Sequence, residues 1–301
     1  MAHADRRFAE NSPGDWFVDD SCIDCAACRH IAPSVFAASS RGFSYVGHQP
    51  SDAERERAAM ALVACPTSSI GGGDAALVRR AAAAFPAPVL GGRGFFAECG
   101  AETDVWYCGY HSASSYGAAS YLIRRPGGNV LVDSPRAAKP LMSRLESLGG
   151  VKYMFLTHRD DVADHAAFRD RFGCERILHD ADVSSGTRDV ERKVRDSEPV
   201  VLAEDLQMIP VPGHTRGSMA LLYRDEFLFT GDHLSYDAGE SALDAHPNVC
   251  WYSWKEQVRS VERLIDYSFR WVLPGHGDPY EAPTNAAMRE MLSAWLQSQR
   301  R

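Results

Sequence analysis

Apolar runs of strand length alternate with amphipathic stretches of helical period from residue 121 onward. Strands are expected for YLIRR at 121–125, NVLVD at 129–133, VKYMFLTH at 151–158, RILH at 176–179, LQMIPV at 206–211 and WVLP at 271–274. Helices are expected at 138–148, 164–172, 255–267 and 284–299, and the run MALLYRDEFLFTGD at 219–232 reads as a hairpin turning at Arg224-Asp225. This alternation predicts an α/β layered domain over 99–301. Residues 1–72 hold four cysteines and one further expected helix at 52–64. Between the two lies GGGDAALVRRAAAAFPAPVLGGRG, an Ala-rich stretch with glycine flanks and two prolines, read as a linker over 73–98 with room for one short helix.

Composition narrows the class. The 301 residues are 45% apolar and 24% charged, as in a globular protein, and no window has the ~18 uncharged apolar residues of a membrane span. A formal net charge of −8 and the absence of a Lys/Arg run argue against nucleic-acid binding, which rests on phosphate neutralisation. The opening MAHADRRFAENSPGDW lacks the apolar core of a secretory signal, so a cytoplasmic location is expected. In that reducing setting eight cysteines do not read as a disulfide framework.

Cys22, Cys25 and Cys28 form C-x2-C-x2-C, and Cys65 is followed by Pro66. Three thiolates from one loop and a remote Cys-Pro suit a cuboidal iron–sulfur cluster. Arg29-His30-Ile31-Ala32-Pro33 follows Cys28 without another cysteine, so one cluster is implied. Four thiolates would also suit structural zinc, although zinc sites usually pair their cysteines as two knuckles. From Asp20 to Ile70 the segment resembles single-cluster bacterial ferredoxins, which implies a small α+β domain holding [4Fe–4S], a cluster able to lose one iron. Cys99, Cys108, Cys174 and Cys250 are scattered and are expected to be buried apolar residues.

A second set of motifs lies in the larger domain. His158-Arg159-Asp160-Asp161-Val162-Ala163-Asp164-His165 follows one expected strand, and Pro212-Gly213-His214-Thr215, Thr230-Gly231-Asp232 and Pro274-Gly275-His276-Gly277 follow others. In this order they resemble the metal motifs of the metallo-β-lactamase superfamily. The resemblance implies an αββα sandwich with two metals, Asp232 bridging them, and Asp133 supporting the metal loop by hydrogen bonds. The loop departs from the usual H-x-H-x-D-H: Asp160 stands where a second histidine is expected, and Asp164-His165 complete the pattern only if two residues are inserted. Counting Asp160 (or Asp161), the ligands become His158, Asp160, Asp164, His165, His214, Asp232 and His276, the tally of the flavodiiron branch. Oxygen-rich sets with imidazole favour iron, with manganese and zinc as alternatives. Alternatively Asp160 and Asp161 only cap the helix beginning near Val162. His179 and His233 are left out of the ligand set. His111, Asp164 and Asp232 are the candidate catalytic groups, and Tyr110, Tyr116, Trp251 and Trp254 could line a cavity or belong to the core.

Three functions follow, the first favoured by the extra carboxylate and the fused cluster domain. A ferredoxin-coupled diiron oxidoreductase or oxygenase would draw electrons from a reductase or another donor and act on O2 or a small-molecule substrate. A metallohydrolase would use metal-activated water beside a structural or sensing cluster. An electron carrier or redox sensor would need no second active site.

Overall fold

The computed structural model describes residues 2–89 and 103–300; Cys99 and positions 90–98 of the expected linker fall outside these. The chain divides into two compact units, Met1–Lys152 with Ala166–Gly173, and Tyr153–His165 with Cys174–Arg301. The early strands of the larger sequence domain pack in the same unit as the cysteine segment, a long-range association that local periodicity does not encode.

In the first unit, Phe17–Val18 pairs antiparallel with Ile70–Gly71, and Phe36–Ser39 with Phe43–Val46. With helices Ala27–Ile31 and Arg55–Ala64 they make a small α+β layer whose core includes Val18, Ile31, Phe36, Val46 and Met60. Much of the expected linker is regular structure. Asp74 caps helix Ala75–Ala84, its carboxylate accepting from Ala76 N and Leu77 N at 2.9 and 2.8 Å, and the helix buries Leu77 and Ala81. Ala87–Pro88 then joins an antiparallel sheet with Val105–Tyr107, Tyr121–Ile123 and Val130–Val132.

The second unit contains parallel strands Tyr153–Phe155, Glu175–His179 and Arg192–Val194. It also contains a six-stranded sheet ordered Val200–Ala203, Leu206–Pro210, Met219–Tyr223, Phe227–Gly231, Trp271–Pro274, Tyr280–Glu281. One face of that sheet presents Ile209, Ala220, Leu222, Leu228 and Val272 to helices Trp254–Arg263 and Asn285–Ser298, through Val261, Met288, Leu292 and Leu296. Every residue of Met219–Tyr223 is buried, which is why this stretch reads as a continuous apolar run rather than an alternating one. Ser253 and Thr284 cap the two helices. The hairpin turns where expected, with Arg224 and Asp225 both at positive φ (54° and 50°). Arg192–Val194, Val200–Ala203, Ser235–Asp237 and Ala242–Asp244 are strands that the sequence pattern did not announce.

Strand direction positions the site. Phe227–Gly231 and Trp271–Pro274 run parallel, with Gly231 opposite Pro274, so Asp232 and His276 leave the sheet at one edge. Leu206–Pro210 is antiparallel to Met219–Tyr223, itself antiparallel to Phe227–Gly231, so the loop carrying His214 leaves from that edge too.

Candidate metal centres

Cys22, Cys25, Cys28 and Cys65 line one cavity, together with Val18, Ile23, Pro66 and Ile70. Asp24 and Ala26, on either side of Cys25, both have positive φ (57° and 62°), which curls the loop enough to direct three cysteines inward. Ser44 N donates to Cys22 Sγ, and Ser69 N to Cys65 Sγ, each at 3.4 Å. Burial pushes the Cys25 and Cys28 thiols up to about 12. Apolar walls, amide donors to sulfur and four converging thiols suit a cluster whose irons deprotonate their ligands.

The second centre lies wholly within the second unit. His158 Nε2 is 3.8 Å from Asp160 Oδ2 and 3.6 Å from Asp232 Oδ2, and His214 Nε2 is 3.5 and 3.7 Å from the same two oxygens. Metal–ligand bonds of about 2.0–2.2 Å set tetrahedral donor–donor edges of roughly 3.3–3.6 Å, and the two imidazoles stand near that spacing from each carboxylate, with His158, Asp160 and His214 forming one converging group of donors. Both Nε2 atoms are buried without a hydrogen-bond partner. Leaving them so costs free energy unless a cation takes the lone pairs. Thr157 Oγ1 lies 3.0 Å from His158 Nδ1 and fixes the ring. Burial pushes His158 down, keeping it a neutral donor.

A second group of donors adjoins the first: His158, Asp161 and Asp232. His276 Nδ1 lies 2.9 and 3.0 Å from the two Asp232 oxygens. Burial by itself would raise the Asp232 carboxyl, but His276 and His158 outweigh it and hold the group well below the usual carboxylate range. Gly275 makes this approach possible. A Cβ there would stand 2.7 Å from Asp161 Oδ2 and 2.9 Å from Asp232 Oδ1.

Asp182, which no motif singled out, joins the two metal loops. Its carboxylate accepts from Arg159 N at 3.0 Å, Gly217 N at 2.8 Å and Thr215 Oγ1 at 2.5 Å. The loop of His158 is thereby tied to the loop of His214. His233, left out of the ligand set, is fully buried, and burial pushes it down to about 3.

Three of the candidate residues stand apart from these converging donors. His165 belongs to none of the converging donor groups among the described residues, and its Nδ1, 2.9 Å from Arg176 Nη1, is taken by the guanidinium. Asp164, just before helix His165–Phe172, belongs to none of the converging donor groups among the described residues. His111 lies in the first unit with both ring nitrogens engaged, by Tyr107 Oη and by Gly117 O, so it has no nitrogen left for acid–base chemistry. Among the aromatics, Tyr110 and Trp254 are packed, Tyr110 Oη on Ala82 O and Trp254 against Trp295, while Tyr116 is 62% exposed. Trp251 is 60% exposed with its ring 6.2 Å from that of His214, at the mouth of the site. Asp133 is buried at φ 57°, following Val130–Val132.

Residues 103–287 match the metallo-beta-lactamase superfamily, more than half of the chain and all of the donors above. The chain belongs to that superfamily. Residues 18–72 match the 4Fe-4S single cluster domain of Ferredoxin I, covering all four cysteines. Among curated proteins, the hydroxyacylglutathione hydrolases of Rhizobium etli and Cereibacter sphaeroides are each 28% identical, over 44% and 43% of this chain. The chain spans about half the length of these relatives, 52% of each. Among solved structures, a metallo-beta-lactamase from Hirschia baltica is similar with TM-score 0.49 and 18% identity, covering 65% of this chain and 94% of that one. An archaeal superfamily protein from Sulfolobus tokodaii gives TM-score 0.44 and 19% identity, covering 61% and 80%. The architecture is mixed α/β with the cluster domain ahead of the superfamily domain. Among the described residues no helix is long and apolar enough to cross a membrane.

Proposed function

We propose that the superfamily domain is a metal-dependent hydrolase of ester or thioester bonds, and that the iron–sulfur domain makes its activity depend on redox state. The observation that carries this reading is that His158 and His214 present two buried, unbonded imidazole nitrogens beside the carboxylates of Asp160 and Asp232. A divalent ion held there supplies Lewis acidity and lowers the pKa of bound water toward neutrality. The residues define the rest of the site. His276 orients Asp232, Asp182 keeps the His158 and His214 loops in register, and the half-exposed Asp160 forms the edge facing solvent. Trp251 offers an apolar surface beside His214 for the acyl portion of a substrate. The thioester class is favoured by the curated relatives, whose names describe hydrolysis of an acylated glutathione.

A second reading has its own support. Three carboxylates, Asp160, Asp161 and Asp232, make the donor set richer in oxygen than usual zinc sites, and a cluster domain precedes it. These features favour a non-haem diiron oxidoreductase or oxygenase supplied by an external electron donor. Anaerobic purification, metal analysis and turnover of acylated glutathiones with the cluster oxidised and reduced test both. Hydrolysis that changes rate with cluster state and vanishes in His214→Ala supports the first reading. About six irons per chain, with electron-dependent turnover and no hydrolysis, replaces it with the second. About four irons and no turnover would leave an electron carrier or sensor.

A further inference from the structure

The residues that line the cysteine cavity come from Val18 to Ile70, and a later segment of the chain packs behind two of them, Cys25 and Pro66. Gly117 lies 52 positions beyond Cys65 in the sequence, yet it packs directly against Cys25 and Pro66, two residues that line the cavity. A Cβ at Gly117 would stand 2.5 Å from Cys25 Cβ, 2.9 Å from Cys25 Sγ and 3.3 Å from Pro66 Cγ. Its φ of +83° also favours glycine. The backbone here comes as close to the first and last parts of the cysteine motif as a chain without a side chain can.

Several bonds hold it there. His111 N donates to Ala64 O at 3.1 Å, the carbonyl immediately before Cys65, and Arg136 Nη2 donates to Val63 O at 3.2 Å. Gly117 N donates to Ser112 O at 2.8 Å and closes the loop on itself. Inside the loop, the His111 ring bridges two groups, with Nδ1 2.5 Å from Gly117 O and Nε2 bonded to Tyr107 Oη. A carbonyl can only accept, so Nδ1 carries the proton and the Tyr107 hydroxyl donates to Nε2. Tyr107 and His111 are 2% and 3% exposed, so water does not compete for either bond.

We propose that residues 111–118 of the superfamily domain back the Cys25 and Pro66 wall of the cluster site and seal it from water, and that His111 is the positioning residue holding Gly117 against Cys25. The inference rests on the cluster domain and not on the reaction assigned to the second centre. A cysteine-ligated cluster gains negative charge on reduction, and a wall that excludes water disfavours the more highly charged form. The wall therefore lowers the cluster's potential and slows its loss to oxidant and chelator.

The test uses the full chain, purified anaerobically with its cluster. Midpoint potential, the spectrum of the reduced cluster and the rate of bleaching by chelator in air are compared for wild type, Gly117→Ala, His111→Ala and His111→Gln. The first two substitutions are expected to raise the potential and bleach several-fold faster. His111→Gln, whose amide can still donate to Gly117 O, is expected to restore most of the wild-type behaviour. Wild-type potential and bleaching in His111→Ala would overturn the proposal, as would His111→Gln behaving no better than His111→Ala. If Gly117→Ala does not fold, the two His111 variants decide the matter.

Discussion

Arg176 donates from Nη1 to His165 Nδ1 at 2.9 Å. The guanidinium itself is buried and held by Glu191, through Nε at 2.9 Å and Nη2 at 3.0 Å, and by Asp189 O at 2.8 Å. This network assigns His165 to the scaffold. His165→Gln should leave the metal content of the second centre unchanged, which elemental analysis would check. Arg176→Met should destabilise the fold by about 2–3 kcal/mol, less than for a fully buried pair because Glu191 is partly exposed. Loss of metal in His165→Gln would return that residue to the ligand set.

The same pair gives a pH dependence. Burial and the neighbouring Arg176 push His165 below the ordinary 6.5. The unfolded chain then takes up a proton near 6.5 that the folded chain refuses, so His165 favours the fold above that pH and penalises it as pH falls below. The slope from one such group is at most about 1.4 kcal/mol per pH unit. Denaturant midpoints between about pH 8 and 5.5 should fall less steeply in His165→Gln than in wild type. Identical slopes would mean that His165 is protonated alike in both states.

The parts of the site that were legible in the sequence are those fixed by strand ends. His214, Asp232 and His276 follow strands of the six-stranded sheet, which gathers these ends at one edge, and His158 follows Tyr153–Phe155. The loop after His158 was less legible. With two extra residues, spacing alone does not say which carboxylate faces inward, and His165 kept its motif position while the fold gave it to Arg176. Asp182 had no local signal because its partners lie 23 to 35 residues away. The role of 111–118 was hidden for the same reason: packing on Cys25 is a property of the folded chain.

Asp182 carries a prediction of its own. Asp182→Ala removes the acceptor shared by Arg159 N, Gly217 N and Thr215 Oγ1, and so frees the His158 and His214 loops from one another. Neither imidazole is lost. Groups that orient metal ligands typically contribute about 10–100-fold in affinity, and a loss of that size is expected in competition with a chromophoric chelator. Cluster content should stay at wild-type level. Unchanged affinity would mean that the loops hold their positions without the aspartate.

Asp160 and Asp161 are neighbours with opposite surroundings. The Asp160 side chain is 44% exposed and stands beside His158 and His214, whereas that of Asp161 is 1% exposed and meets Asp232 across Gly275. Two carboxylates brought together in a buried place repel one another, and each loses its hydration at a cost of several kcal/mol unless cations compensate. A second ion at this place would therefore depend on Asp161. Asp161→Asn should reduce the non-cluster metal from about two ions per chain to about one. Gly275→Ala should do the same by forcing both carboxylates to move. Asp160→His adds an imidazole and should shift the first ion's preference toward zinc. Elemental analysis of the three variants, purified anaerobically beside wild type, separates the cases. Two ions retained in Asp161→Asn would remove Asp161 from the donor set and leave His158, His214, Asp160 and Asp232.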